Sequence, residues 1–157
     1  IKKMLAVTSP EDLIKRDIQG RSALVILLQD NLLQENEEII LTLIHKITPK
    51  DLLQDMKNKT TEGSCLLLFA LYKIKTVVDN NEIELKKGEK RKLSQIKLEK
   101  MKMYWSKLSE QIKNKLQQLE NNPGEDERVF GTTFLLIKDL FPWSKAILQE
   151  KGYYFPR

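Results

Sequence analysis

The feature that most limits the fold is a helix-start pattern that occurs twice, 39 residues apart. The two copies are Ser9-Pro10-Glu11-Asp12-Leu13-Ile14 and Thr48-Pro49-Lys50-Asp51-Leu52-Leu53. A hydroxyl residue is a good N-cap, proline fits the first helical position, and an acidic side chain favours the positive end of the helix dipole. The repetition therefore predicts short helices arranged in internal repeats with a period of about 40 residues.

A second pattern repeats at an offset of 42 residues, from 19–24 to 61–66, and each copy leads into an apolar helix. Between them, the spacing of Ile39, Ile40, Leu43, Ile44 and Ile47 predicts an amphipathic helix over 35–47. We expect a third copy after Phe130, with another helix starting at Pro142. An alternative makes Val129–Ile137 a strand, because it is rich in β-branched and aromatic residues.

The composition favours an all-α domain. Apart from isoleucine, the commonest residues are good helix formers. A single cysteine cannot form an internal disulfide, and no apolar run approaches the roughly 20 residues that span a bilayer. The chain begins at Ile1 with what resembles the end of an amphipathic helix, so we expect it to be part of a longer protein.

The segment 82–120 fits neither repeat and predicts one long helix. Its apolar residues recur at steps of three and four, interrupted by Lys115. Between Glu84 and Gln118 there are eleven Lys or Arg against four Glu, so this segment carries the positive charge of the chain. The predicted organisation is one domain: repeats over 1–79, an inserted basic amphipathic helix over 80–123, and a terminal helical pair over 124–157.

Two groups of residues are candidates for binding a partner. The first is the densest basic cluster, for which the alternative is a solvated loop: Lys86, Lys87, Lys90, Arg91 and Lys92. The second is the aromatic pair Phe141 and Trp143 around Pro142, for which the alternative is burial at the end of the helical array.

The residues that catalysis needs are sparse. His45 is the only histidine, and Cys65 lies in an apolar run that predicts a buried helix, so a Cys65–His45 catalytic pair is disfavoured. Phosphate-binding, dinucleotide-binding and nucleophile-elbow motifs do not occur in the sequence. We therefore expect no enzymatic activity, no cofactor and no metal site.

The repeated units resemble ankyrin repeats. Asp17, Gly20, Ser22 and Leu24 are similar to the opening of that family's repeat, as are the sets Gly63, Ser64, Leu66 and Gly131, Thr133, Leu135. Ile147–Gly152 resembles the family's closing turn. The Pro-Leu-His neighbourhood of the family is missing from each copy, and the connections are longer than a repeat of about 33 residues allows.

This resemblance implies an ankyrin-like helical stack that binds another protein. The charge of the inserted basic helix favours a partner with an acidic surface. The Lys-, Ile- and Asn-rich composition resembles that of repeat proteins from intracellular bacteria, which implies an effector or scaffold in the cytoplasm of the cell or of its host. The second hypothesis is a basic helical module that binds nucleic acid or an anionic membrane surface.

Overall fold

Helices dominate the computed structural model, which describes residues 22–30, 37–57, 65–86, 88–119 and 131–152. The prediction of a mostly helical chain is confirmed, with one β-hairpin as the departure. In chain order the elements are α1 (Ala23–Asp30), α2 (Glu37–Lys46), α3 (Pro49–Lys57), α4 (Leu66–Asn80), β1 (Glu82–Lys86), β2 (Glu89–Lys92), α5 (Gln95–Gln117), α6 (Gly131–Leu140) and α7 (Ser144–Glu150).

Local capping signals explain where two of the helices begin. The Ser22 hydroxyl accepts the Val25 N–H at 3.3 Å before α1, and the Thr48 hydroxyl accepts the Asp51 N–H at 3.1 Å before α3. Each bond satisfies a backbone donor that the first turn of a helix leaves unpaired. The matching pattern at 9–14 lies outside the described residues, so its equivalence to the start of α3 stays a prediction.

The helices form two rows. In the first row α4 contacts α1 and α6; in the second row α5 contacts α2 and α7. Contacts between α1 and α2, between α4 and α5, and between α6 and α7 join the rows into three successive pairs, and α3 packs on the middle pair. Among the described residues, thirty apolar side chains are buried as one core, which holds the rows together.

Two contacts show that α2 and α5 are parallel. Lys107 Nζ lies 3.1 Å from Glu37 Oε1, and Lys115 Nζ donates to the His45 carbonyl at 2.7 Å. Both contacts join residues 70 positions apart, so the two helices run side by side in one direction. In the first row, Cys65 Sγ lies 3.4 Å from Thr133 Oγ1 and brings the starts of α4 and α6 together.

The predicted start of the long helix is wrong. Asn81 takes a left-handed conformation (φ 56°) after α4, and β1 and β2 then form an antiparallel hairpin where helix and loop were expected. Gly88 (φ +81°) lies in the loop between the strands, a conformation that glycine adopts at little cost. The helix starts at Gln95, where the Ser94 hydroxyl accepts the Lys97 N–H at 3.3 Å.

The apolar spacing predicted within the long helix is confirmed, because Leu98, Met101, Leu108 and Ile112 are all buried. The helix is not set apart from the others, however, since it is the central member of the second row. The strand alternative for 129–137 is wrong over its described part, which belongs to α6. The helix expected from Pro142 begins two residues later, at Ser144, after a turn.

Candidate interaction surfaces

The basic cluster lies on the β-hairpin. Lys90, Arg91 and Lys92 form most of β2 and are exposed. Lys86 ends β1, although its side chain lies outside the described residues, as does all of Lys87. The hairpin therefore brings the described members of the cluster to one edge of the molecule.

Pairing of the strands places acidic residues among these cations. The register sets Glu82 opposite Lys92 and Glu84 opposite Lys90, and residues directly opposite each other share a face of the ribbon. The two strands together contain four cations and three glutamates, a net charge of only +1. The cluster is thus much less positive than its lysines alone indicate.

The predicted aromatic pair belongs to the packing of the molecule. Phe141 is buried, and its ring stacks on Trp105 with a centroid distance of 5.4 Å and on Trp143 at 5.0 Å. Trp143 is half-buried and donates its indole N–H to the Ser109 hydroxyl at 3.1 Å. Burial leaves Phe141 without a surface for a partner, and the stack instead fastens the α6–α7 turn to α5.

Apolar side chains on the first row are exposed instead. Phe69 and Tyr72 of α4 are 43% and 47% exposed, and Leu135 of α6 is 58% exposed. We call these three residues the apolar face. Trp and Tyr side chains, and large apolar groups generally, contribute much of the binding energy at protein interfaces when a partner covers them.

Phe69 and Leu135 are exposed in neighbouring helices that start together. Moving 66 residues along the chain matches the burial of 67–74 with that of 133–140 at six of the seven positions where both side chains are described; the exception is buried Ala70 against half-buried Leu136. The exposed apolar groups therefore lie on two adjacent helices of the first row.

The sequence contains one signal for this face, in the apolar run at the start of α4. Cys65–Tyr72 is a run of eight apolar residues, more than two helical turns. A helix that packs on one side cannot bury every residue of such a run, so some must face outward. Which ones do so depends on the neighbouring helices.

Two ionisable side chains are buried in the second row. Tyr104 of α5 is fully buried, and its burial, followed by the nearby Glu37 charge, raises the pKa of its phenol. Burial lowers the pKa of the Lys115 ammonium, which donates to the His45 carbonyl. That carbonyl belongs to the last turn of α2, where no helical partner exists for it.

The hypothetical pairing of Cys65 with His45 has no geometric support. Cys65 is buried before α4 with its sulfur beside Thr133, whereas the His45 side chain is exposed. Within the described ranges, no group of three His, Cys, Asp or Glu residues could hold a metal ion. No helix in that part of the chain is both long and apolar enough to cross a membrane.

Comparison of the chain with models of protein families, with curated proteins and with solved structures gives no match. The ankyrin resemblance therefore stays a prediction from the motifs. The two-row helix packing and the apolar face are what the structure adds to it.

Proposed function

We propose that this chain is a non-catalytic protein-interaction module, a divergent ankyrin-like stack of three helical pairs that works as a scaffold or effector in a cytoplasm. The parallel packing of α2 against α5, and the pairing of helices between the rows, support the repeat arrangement. Two features depart from the family. α5 has 23 residues, which is long for a repeat of about 33, and α3 is an additional helix between the first two pairs.

The observation that carries the proposal is the apolar face. Three large apolar side chains are exposed on two helices that contact each other, whereas isolated exposed apolar residues are ordinary on any surface. A partner that covers Phe69, Tyr72 and Leu135 removes all three from water at once. Repeat stacks bind partners through extended surfaces of this kind.

The charges beside the apolar face indicate the chemistry of the partner. Lys73 follows Tyr72 on α4, and Lys138 lies one turn after Leu135 on α6; both are exposed. Asp139 is the acidic residue nearest to them on α6. We propose a folded protein partner that offers an apolar ridge with carboxylates at its edge, which would pair with Lys73 and Lys138.

The test compares the wild-type chain with the triple variant Phe69→Ser, Tyr72→Ser, Leu135→Ser. Proteins captured from a lysate by the wild type are purified and titrated directly against both chains. We expect the triple variant to lose at least about tenfold in affinity, because large anchor residues dominate such interfaces. Circular dichroism and thermal unfolding of both chains establish that the variant is folded.

The matched control is Ile96→Ser, Met103→Ser, which removes two exposed apolar side chains elsewhere. It should bind the purified protein with wild-type affinity. The proposal would be contradicted if the triple variant keeps its affinity for the purified protein, or if both variants lose the same affinity.

A further inference from the structure

The middle helical pair projects beyond its neighbours. In the first row α4 has 15 residues against 8 in α1 and 10 in α6; in the second row α5 has 23 against 10 in α2 and 7 in α7. On α5, Lys107 and Lys115 make the side-chain contacts with α2. Trp105 and Ser109 of the same helix make those with the α6–α7 turn.

The start of α5 therefore extends past the described part of the second row. Gln95–Met103 precedes all of these contacts and covers about 12 Å of helix at 1.5 Å per residue. The hairpin connects the end of α4 to this segment: the Leu93 N–H donates to the Asn81 carbonyl at 3.0 Å, and β1 packs on α4. We call β1, β2 and Gln95–Met103 the projecting tip.

The projecting tip combines exposed apolar groups with positive charge. Ile96 is 68% and Met103 is 60% exposed, and seven residues apart on a helix they point the same way. Over 82–86 and 88–103 there are seven cations and four glutamates, so the described tip carries +3 of the +5 of the whole chain. The lysines of its helix, Lys97, Lys100 and Lys102, are all exposed; Lys100 and the exposed Glu99 lie next to the apolar pair.

From this arrangement we propose that the projecting tip binds an anionic lipid surface. Aliphatic side chains at a convex tip can enter the headgroup region while the lysines of the tip meet lipid phosphates and carboxylates. Apolar insertion and the lysine–lipid contacts would both contribute binding energy, so removal of either should weaken binding to the lipid surface.

Other anionic partners fit the geometry less well. A partner helix needs a groove between neighbouring elements, whereas Ile96 and Met103 lie on the outward ridge of a single helix. Single-stranded nucleic acid favours exposed aromatic rings for stacking. The aromatic residues closest to the tip are unsuited to this, because Tyr104 is buried and Trp105 stacks on Phe141.

The experiment is sedimentation of the full chain with vesicles of phosphatidylcholine alone or with phosphatidylserine at three to one. We expect binding to the anionic vesicles only, weakened by high salt. Ile96→Ser with Met103→Ser should lower the partition coefficient roughly tenfold or more, from lost apolar burial. Lys97→Gln, Lys100→Gln, Lys102→Gln should lower it roughly a hundredfold, at about fivefold for each cation near the surface.

Two control variants test whether vesicle binding depends on where in the molecule the charged or apolar side chains are removed. Lys50→Gln, Lys138→Gln, Lys145→Gln makes the same change in net charge at exposed sites away from the tip, and should change binding by less than about threefold. Phe69→Ser, Tyr72→Ser, Leu135→Ser should bind vesicles normally, so that this proposal and the protein-interaction proposal can fail separately.

Three results would overturn the proposal: no binding to the anionic vesicles, binding unaffected by loss of Ile96 and Met103, or equal effects of the two lysine triples. The proposal would also be overturned if the chain binds a single-stranded oligonucleotide and does not bind the vesicles. The positive charge of the tip would then serve nucleic-acid binding.

Discussion

Tyr104 places a buried hydroxyl without a hydrogen-bond partner in the second row, which is unfavourable for stability. Tyr104 is fully buried in α5, and its Oη has no hydrogen-bond partner in the described part of the chain. Leaving such a group unpaired costs about 1–3 kcal/mol, because the hydroxyl gives up its bonds to water. The ring nevertheless contributes to stability through apolar burial, which explains why it lies in the core.

We expect Tyr104→Phe to stabilise the chain by about 1 kcal/mol at pH 7, since it removes the unpaired hydroxyl and keeps the ring. The raised pKa of Tyr104 adds a pH dependence. Below the ordinary tyrosine pKa, near 10, both states are neutral and the contribution to stability is complete. Above it the unfolded tyrosine ionises while the buried one does not, so stability falls as pH rises.

Urea unfolding at pH 7 and at about pH 10.5 measures both effects. The variant should lose less stability than the wild type on going to the higher pH. Tyr72→Phe, at an exposed position, is the control and should change neither value. Destabilisation by Tyr104→Phe at pH 7 would mean that the hydroxyl has a favourable partner.

At the scale of elements, one lysine joins two helices. Lys115 interrupts the apolar spacing of α5, and its ammonium accounts for this by donating to the carbonyl of His45 at the end of α2. The bond satisfies a carbonyl that the helix leaves unpaired and places a cation at the negative end of the dipole. Lys107 and Glu37 make a second contact near the other end of α2, without hydrogen-bond geometry.

We expect Lys115→Met to lower the free energy of unfolding by about 1–2 kcal/mol, because the carbonyl of α2 loses a charge-assisted bond while the apolar stem is kept. Chemical denaturation at pH 7 measures the change. Lys113→Met, two residues away and half-buried, is the matched control and should shift stability by less than about 0.5 kcal/mol. If the two variants behave alike, the bond to His45 contributes nothing.

At the scale of the whole molecule, the aromatic stack connects the last helical pair to the middle one. Phe141 lies between Trp105 and Trp143, so two ring contacts and the Trp143–Ser109 bond link α5 to the α6–α7 turn. In a stack where each pair contacts mainly its neighbours, an end pair can unfold while the rest stays folded.

Phe141→Ala should destabilise the chain by about 3–5 kcal/mol, from lost burial and the cavity that remains. Hydrogen exchange should show the loss first in α6 and α7, with α1 and α2 still protected. The exposed Phe69→Ala is the control, for which we expect less than about 1 kcal/mol. Uniform loss of protection across every helix would indicate one cooperative unit and argue against a repeat stack.

Local patterns in the sequence determined where several helices lie. Thr48 caps a helix at the position predicted for it, and the spacing of apolar residues in α2 and α5 indicated the faces that are buried. Such signals are readable because capping and amphipathic spacing act within one or two turns. They do not depend on what packs against the helix.

Only the tertiary structure decided the hairpin, the partner of Lys115 and the exposure of the apolar face. β2 contains no apolar residue, so it has no alternating pattern and becomes a strand only by pairing with β1. Phe69 lies in a run of apolar residues that looks uniformly buried, and the position of α6 beside α4 is what leaves it outward. Each outcome depends on contacts between distant parts of the chain, which local periodicity does not specify.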